Sequence, residues 1–292
     1  MDELGYYRRH SALTDPGAQR HLLAGLPTDL HGLLQVIGGV MIHRDQTWRW
    51  GFTLPGERRD EANTRSVAAI LDHLGTLDER PPEERFAGTC RDFTVLLCAL
   101  LREAGTPARA RAGFAGYFSE DFFDDHWVVE LWADKSGWRL VDAQVGSVPK
   151  GTYDERDVDP LDVSRDGFLV GGQAWRECRA GHRDPARIGV RAADLTGMWE
   201  VQGNVVRDLA SLNRVETLPW DNWGLIPVHY DGLPPADLDL LDRVAEVSAA
   251  GGPLARAVEA YGWDPAFKRR PTLPATPIVT IGMDRSCRTG AP

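Results

Sequence analysis

Apolar and polar positions alternate with helical spacing along much of the first hundred residues. In EANTRSVAAILDHLG (61–75) the apolar side chains fall at Val67, Ile70, Leu71 and Leu74, which is one buried face of an amphipathic helix. Residues 11–43 predict helix in two pieces. Asp15 with Pro16 at the first helical position opens one, and TDLHGLLQVIGGVMIH starts a second after Pro27. A polar, Trp-bearing loop follows at 44–60. The helix expected at 89–104 carries Val95, Leu96, Leu97, Leu100 and Leu101 and is apolar on nearly all sides, the pattern of a buried central helix. Gly105 and Pro107 are placed to end it. The period then changes. Runs at 108–118, 126–132 and 137–145 are rich in Val, Trp, Phe and Tyr and predict strands. The turn residues of 133–137 make the last two an antiparallel hairpin. Beyond Pro149 short helices alternate with Gly- and Trp-rich stretches, and 234–252 is again helical.

These elements predict one domain over 1–263, with a core at 61–146 and flanking additions at 1–60 and 147–263. The Pro-rich segment 264–292 reads as a partly disordered tail. The chain has 292 residues, 42% of them hydrophobic, enough for a sizeable core. Its formal net charge of −10 argues against sequence-independent nucleic-acid binding. The most apolar run, GLLQVIGGVMI (32–42), is too short to span a bilayer, so no membrane partner is expected. The start, MDELGYYRRH, has no apolar leader core. With only Cys90, Cys98, Cys178 and Cys287 spread over the chain, a cytoplasmic protein with reduced thiols is expected. No metal-ligand spacing, phosphate loop or calcium loop is present, so the expected cofactor set is none and the expected metal set is none.

Candidate chemistry begins at Cys90. Thr89 is a good N-cap and Asp92, three residues on, completes a capping-box pattern. Cys90 therefore falls in the first helical turn, where unpaired N–H groups and the helix dipole favour a thiolate. The same N–H groups can donate to an oxyanion. Cys98 lies two turns deeper among leucines and reads as inert core.

A nucleophilic cysteine needs a base, and the base needs an orienting group. Pairing Trp132 with Trp138 across the hairpin sets Val128 opposite Asp142 and His126 opposite Gln144. His126 and Asp142 are then diagonal neighbours on one face. An odd slip would part them, but would also turn a whole apolar set outward. A carboxylate flanked by Val141 and Ala143 in a core strand needs a partner, and His126 is the one within reach.

GTCRDFTVLLCALLREAGTPAR, then DHWVVELW, then WRLVDAQ together resemble the core of the transglutaminase-like superfamily. The spacings of 36 and 16 residues between Cys90, His126 and Asp142 suit that family. The resemblance covers about residues 61–146, and the flanks are similar to a bacterial subgroup. It implies an α+β, papain-like fold with the cysteine helix packed on an antiparallel sheet. It implies acyl transfer through a thioester acyl-enzyme, with Cys90 as nucleophile, His126 as base and acid, and Asp142 orienting His126. It implies a small-molecule, peptide or carrier-bound acyl substrate, with water or an amine as acceptor. Hydrolysis of an amide, amide formation and non-catalytic binding in the same cleft are the three outcomes left open.

A side chain upstream of the nucleophile often completes the oxyanion hole in this superfamily, and Gln46, Trp48 and Trp50 are the candidates here; the alternative for the tryptophans is packing. Asn204, Arg207 and Asp208 share a helical face. They read either as a polar wall of the substrate cleft or as a buried network holding the C-terminal part to the core. The acidic loop SEDFFDDH (119–126) reads either as a rim favouring amines or as a solvated loop. Acid near His126 would raise its pKa.

Overall fold

The computed structural model describes residues 2–226 and 230–268. In chain order these hold α1 (Glu3–Arg8), α2 (Leu30–Val40), β1 (Met41–His43), α3 (Val67–Leu74), β2 (Phe86–Gly88), α4 (Cys90–Glu103), β3 (Ala108–Ala115), β4 (Phe123–Ala133) and β5 (Gly137–Val141). Then come β6 (Phe168–Val170), α5 (Gly171–Arg179), β7 (Ile188–Val190), β8 (Leu195–Thr196), α6 (Met198–Leu212), α7 (Pro235–Ala250), α8 (Leu254–Ala260) and α9 (Pro265–Lys268). This is the α+β class the sequence predicts.

The main sheet runs β6-β3-β4-β7-β8, with β5 also on β4. β3 pairs β4 antiparallel from Ala108↔Leu131 to Ala115↔Asp124, which occupies one edge of β4 along most of its length. The other edge is shared. β5 takes Val129 to Ala133, with Trp132 opposite Trp138 as expected. β7 takes Phe123 and Asp124, in parallel. Residues 125–128 have no strand on that edge. A separate parallel pair, β1 and β2, sets His43 opposite Gly88.

Alternation along the strands divides the interior. Ala108, Ala110 and Ala112 of β3 and Trp127, Val129 and Leu131 of β4 share one apolar cluster with α2, α3 and α4. The next residues along, Arg109, Arg111 and Glu130, are also buried and form ion pairs with one another. Arg111 meets Asp208 of α6 through both carboxylate oxygens, at 2.9 and 2.8 Å, a bidentate geometry that restricts direction as well as distance. A second cluster joins α5, α6, α7 and α8 around Trp175, Val205, Leu209 and Leu241.

α4 starts where the capping box places it, and the Thr89 N–H donates to Asp92 at 2.8 Å. Gly105, at φ +83°, ends it. Its polar residues are buried too. Arg91 donates to the Arg65 and Glu216 carbonyls, both at 2.6 Å. Arg102 reaches the Ala108 carbonyl at 3.0 Å and Thr14 Oγ1 at 2.6 Å. Two guanidinium groups thus tie the central helix to the loops around it.

Several boundaries differ from expectation. Residues 41–43 are strand rather than helix, because they pair with 86–88. Residues 61–63 are 3-10 turn, and the α-helix begins only after the Ser66 cap. The third predicted strand stops at Val141 instead of 145. The Asp142 N–H turns away to the Pro160 carbonyl at 2.8 Å. Its Oδ1 then accepts from the Gln144 and Val145 N–H groups, both at 2.9 Å. Within the expected tail, Phe267 of α9 is buried in the second cluster, and 269–292 lie outside the described residues.

Candidate active site

Cys90, the first residue of α4, lies against the open edge of β4. A helix end there fills the gap between β5 and β7. The Trp127 N–H, which a neighbouring strand would otherwise have engaged, and the His126 ring both act on the Cys90 thiol. Cys90 is 7% exposed, so it is enclosed. Burial pushes its thiol up, and His126 and the Trp127 N–H act in the opposite sense.

His126 Nε2 is 2.8 Å from Asp142 Oδ2, which leaves Nδ1 as the ring nitrogen for the thiol. Burial alone would lower the histidine; the Asp142 carboxylate overrides it and holds the imidazolium well above the ordinary range. Burial would likewise raise Asp142, and the His126 charge and hydrogen bonds hold it below the usual carboxylate value. Asp142 Oδ2 also accepts from the Tyr117 hydroxyl at 2.5 Å. With the two N–H donors on Oδ1, both oxygens are engaged and the carboxylate has one orientation. Phe118 stands edge-on to the His126 ring at 5.1 Å between centroids, with Tyr117 at 6.2 Å and Phe168 at 6.5 Å. Such a site can generate a thiolate, hold a proton beside it and give that proton up again.

The other sequence candidates fall at varying distance. Gln46 accepts from Arg49 Nε at 3.2 Å. Trp48 is 52% exposed and stacks under the Arg49 guanidinium. Trp50 packs edge-on against Tyr153. Arg49 is itself bonded to the Thr152 carbonyl and Asp154, so this turn is fastened to the 152–154 loop. On α6, Asn204 donates to Asp125 at 2.5 Å and to the Gly113 carbonyl at 3.2 Å. Arg207 donates to Asn204 at 3.4 Å. Both adjoin the residue before His126. Asp208 does not line the site. It accepts from Arg111, from Ser248 Oγ at 2.6 Å and from the Ala112 N–H at 3.0 Å, and belongs to the network that binds α6 and α7 to β3. In the acidic loop, Glu120 is 3.6 Å from Arg156, Asp121 3.4 Å from Arg187 and Asp124 4.0 Å from Arg191, which is ion pairing rather than a free acidic rim.

Sequence reasoning missed four residues here. Tyr117 follows the end of β3 and had no spacing signal. Asp125, part-buried beside Cys90 and with its carboxyl pushed up by that burial, read only as loop acid. Glu200 lies one turn before Asn204 and is pushed up to about 7 by burial and by Asp125. His43 comes from β1, whose pairing was not foreseen.

Fold and site together define a papain-like α+β protein with a helix-borne cysteine. Residues 72–143 match the transglutaminase-like superfamily, and the chain carries a core of that superfamily. This segment includes Cys90, His126 and Asp142. Members are generally cysteine-dependent enzymes of acyl transfer or of protease type. Among solved structures the chain is similar to a candidate cysteine protease from Cytophaga hutchinsonii (18% identity over 58% of this chain and 46% of that one, TM-score 0.34). It is also similar to red sea bream transglutaminase (16%, 55% and 30%, TM-score 0.34) and to the periplasmic domain of TgpA from Pseudomonas aeruginosa (20%, 48% and 51%, TM-score 0.23). The chain thus spans about half or less of each. No curated protein matches it. No helix among the described residues is long and apolar enough to cross a membrane.

Proposed function

We propose that the protein is a cysteine acyl-transfer enzyme in which Cys90, His126 and Asp142 act as one unit. The observation that carries this reading is the buried His126–Asp142 pair acting on a cysteine that starts a helix in the only gap along the β4 edge among the described residues. The Cys90 thiolate attacks an amide or thioester carbonyl, and the carbonyl π pair moves onto oxygen. His126 gives its proton to the leaving amine or thiol as the C–N or C–S bond breaks. That leaves a Cys90 thioester. His126, now neutral, takes a proton from the acceptor, water or an amine, which attacks the thioester and releases Cys90. Of the four loop carboxylates before His126, Glu120, Asp121 and Asp124 are engaged by arginines and Asp125 by Asn204, so the reading rests on the acyl half of the reaction.

The test is intact mass after incubation with amides and thioesters, in wild type and Cys90→Ala. An acyl adduct on Cys90 that is absent from the variant is expected. Discharge by water marks a hydrolase, and discharge by an added amine marks a transferase. No adduct on wild type, with Cys90 labelling by iodoacetamide no faster than a free thiol, would sink the reading.

A further inference from the structure

An acyl-transfer site needs a second donor for the oxyanion, besides the N–H groups at the start of α4. β1 offers one that none of the sequence candidates matches. Met41 lies in the cluster around α4, Ile42 in the small cluster on the other side with Leu54 and Ala87. By strand alternation His43 returns to the α4 side. The parallel register gives the same answer independently. His43 is the partner of Gly88, and directly paired residues share a face. A Cβ built on Gly88 would stand 2.9 Å from Asp92 Cβ and 3.0 Å from Met41 Cε, so that face looks onto the first turn of α4. Gly88, two residues before Cys90, carries no side chain, so Asp92 and Met41 close onto its backbone on this face. The Arg44 N–H bonds the Gly88 carbonyl at 2.9 Å, holding the end of β1 against this turn.

The tautomer is set locally. The Asp45 N–H donates to His43 Nδ1 at 3.3 Å, so the ring proton sits on Nε2. We propose that His43, through Nε2–H, is the second oxyanion donor of the Cys90 site. Burial, opposed by Asp45 and reinforced by Arg44 and the His126 charge, holds this ring down to about 4, so it stays neutral while His126 carries the proton. A neutral donor suits the task. It stabilises the pair that develops on oxygen without transferring its proton, and it does not compete with His126 for Asp142. The pair returns to the carbonyl as the leaving group departs.

This inference rests on the acyl-transfer reading, and its test separates the two. Wild type, His43→Ala and His43→Gln are compared for alkylation of Cys90 by iodoacetamide and for acylation by p-nitrophenyl acetate, both read on the Cys90 peptide by mass spectrometry. Alkylation is a displacement with no oxyanion; acylation passes through one. His43→Ala is expected to slow acylation ~10²–10³-fold while alkylation changes less than ~2-fold, the loss typical of one oxyanion donor. His43→Gln, which keeps an N–H donor, should recover part of the rate. Equal loss in both reactions would make His43 a structural support, and unchanged acylation in His43→Ala would remove it from the site; either overturns the inference alone. A wild type that alkylates but never acylates overturns the acyl-transfer reading, and the inference with it.

Discussion

At the scale of single residues, the site turns on how completely Asp142 is engaged. His126 and Tyr117 donate to one oxygen and two backbone N–H groups to the other. In Asp142→Asn the amide must present its own N–H₂ to one of these donor pairs, so the geometry and the charge are lost together. The His126 pKa, raised by this carboxylate, should fall towards or below the ordinary value of ~6.5. Alkylation of Cys90 should then drop more at pH 8 than at pH 6, because the imidazolium that supports the thiolate disappears earlier as pH rises. Stability carries the same sign. The raised His126 contributes fully below ~6.5 and loses that contribution as pH climbs through its folded value. The lowered Asp142 contributes above ~3.9 and loses it in acid. The gap between wild type and variant in urea midpoint should therefore be widest between those values; a gap independent of pH would contradict the pairing. Tyr117→Phe removes one of the four donors and should cost only about 1 kcal/mol, with a smaller fall in alkylation than Asp142→Asn. Cys90 was legible because a capping box marks a helix start within a few residues, and His126 and Asp142 because side-chain alternation survives small errors in register. Tyr117 and His43 were not, since each depends on a contact between segments with no shared period.

At the scale of elements, the site is made by an interruption. β5 and β7 take the two ends of one edge of β4, and α4 enters between them. The hairpin register and the span of α4 could be read from the pattern, since both follow from local apolar spacing. The open edge could not, because β7 pairs with residues 65 positions earlier, from a stretch with no strand signal. For the same reason Met41 to His43 reads as helix: the mostly apolar run 32–42 does not reveal that its end pairs with 86–88. One glycine shows how closely the elements are fitted. Gly38 lies in α2, and a Cβ there would come within 1.9 Å of the Ser147 carbonyl oxygen, at the turn whose Val145 N–H holds Asp142. Helix propensity favours Gly38→Ala by up to ~1 kcal/mol. Overpacking against backbone, which cannot rotate away, costs ~1–3 kcal/mol, so the clash should win. Gly38→Ala should lower the melting temperature and slow Cys90 alkylation; a raised melting temperature would show that α2 moves freely from the turn.

Across the whole molecule, the transglutaminase-like core and its additions are joined by charge as well as by apolar packing. Glu130 of β4 is fully buried and accepts from Arg109 and Arg111 of β3, both at 2.7 Å, and from Arg165. Arg111 continues to Asp208 of α6 and to the Ser248 carbonyl of α7 at 2.7 Å. Arg109 continues to Glu3 of α1 at 3.2 Å and to the Gly251 carbonyl. One carboxylate thus stands where α1, α6, α7 and the strand pair meet. Burying such an ion cluster need not stabilise the fold relative to an apolar core, but removing one member leaves charges unpaired, at about 3–5 kcal/mol. Glu130→Gln keeps the shape and removes the charge, facing three guanidinium groups with a neutral amide. It should lose several kcal/mol in urea denaturation at pH 7. The three arginines hold the Glu130 pKa far below the usual glutamate value against the opposing effect of burial. Its charge therefore contributes above the unfolded value of ~4.3, and the contribution fades as pH falls below that. The difference between Glu130→Gln and wild type should accordingly be full at pH 7 and shrink below pH ~4. The cluster lies on a part of β4 separate from the open edge that receives Cys90. Under conditions where Glu130→Gln remains folded, Cys90 alkylation should stay within ~2-fold of wild type. A variant that stays as stable as wild type at pH 7 would mean that the arginines find solvent or one another at no cost, and that α6 and α7 are held by their apolar cluster alone.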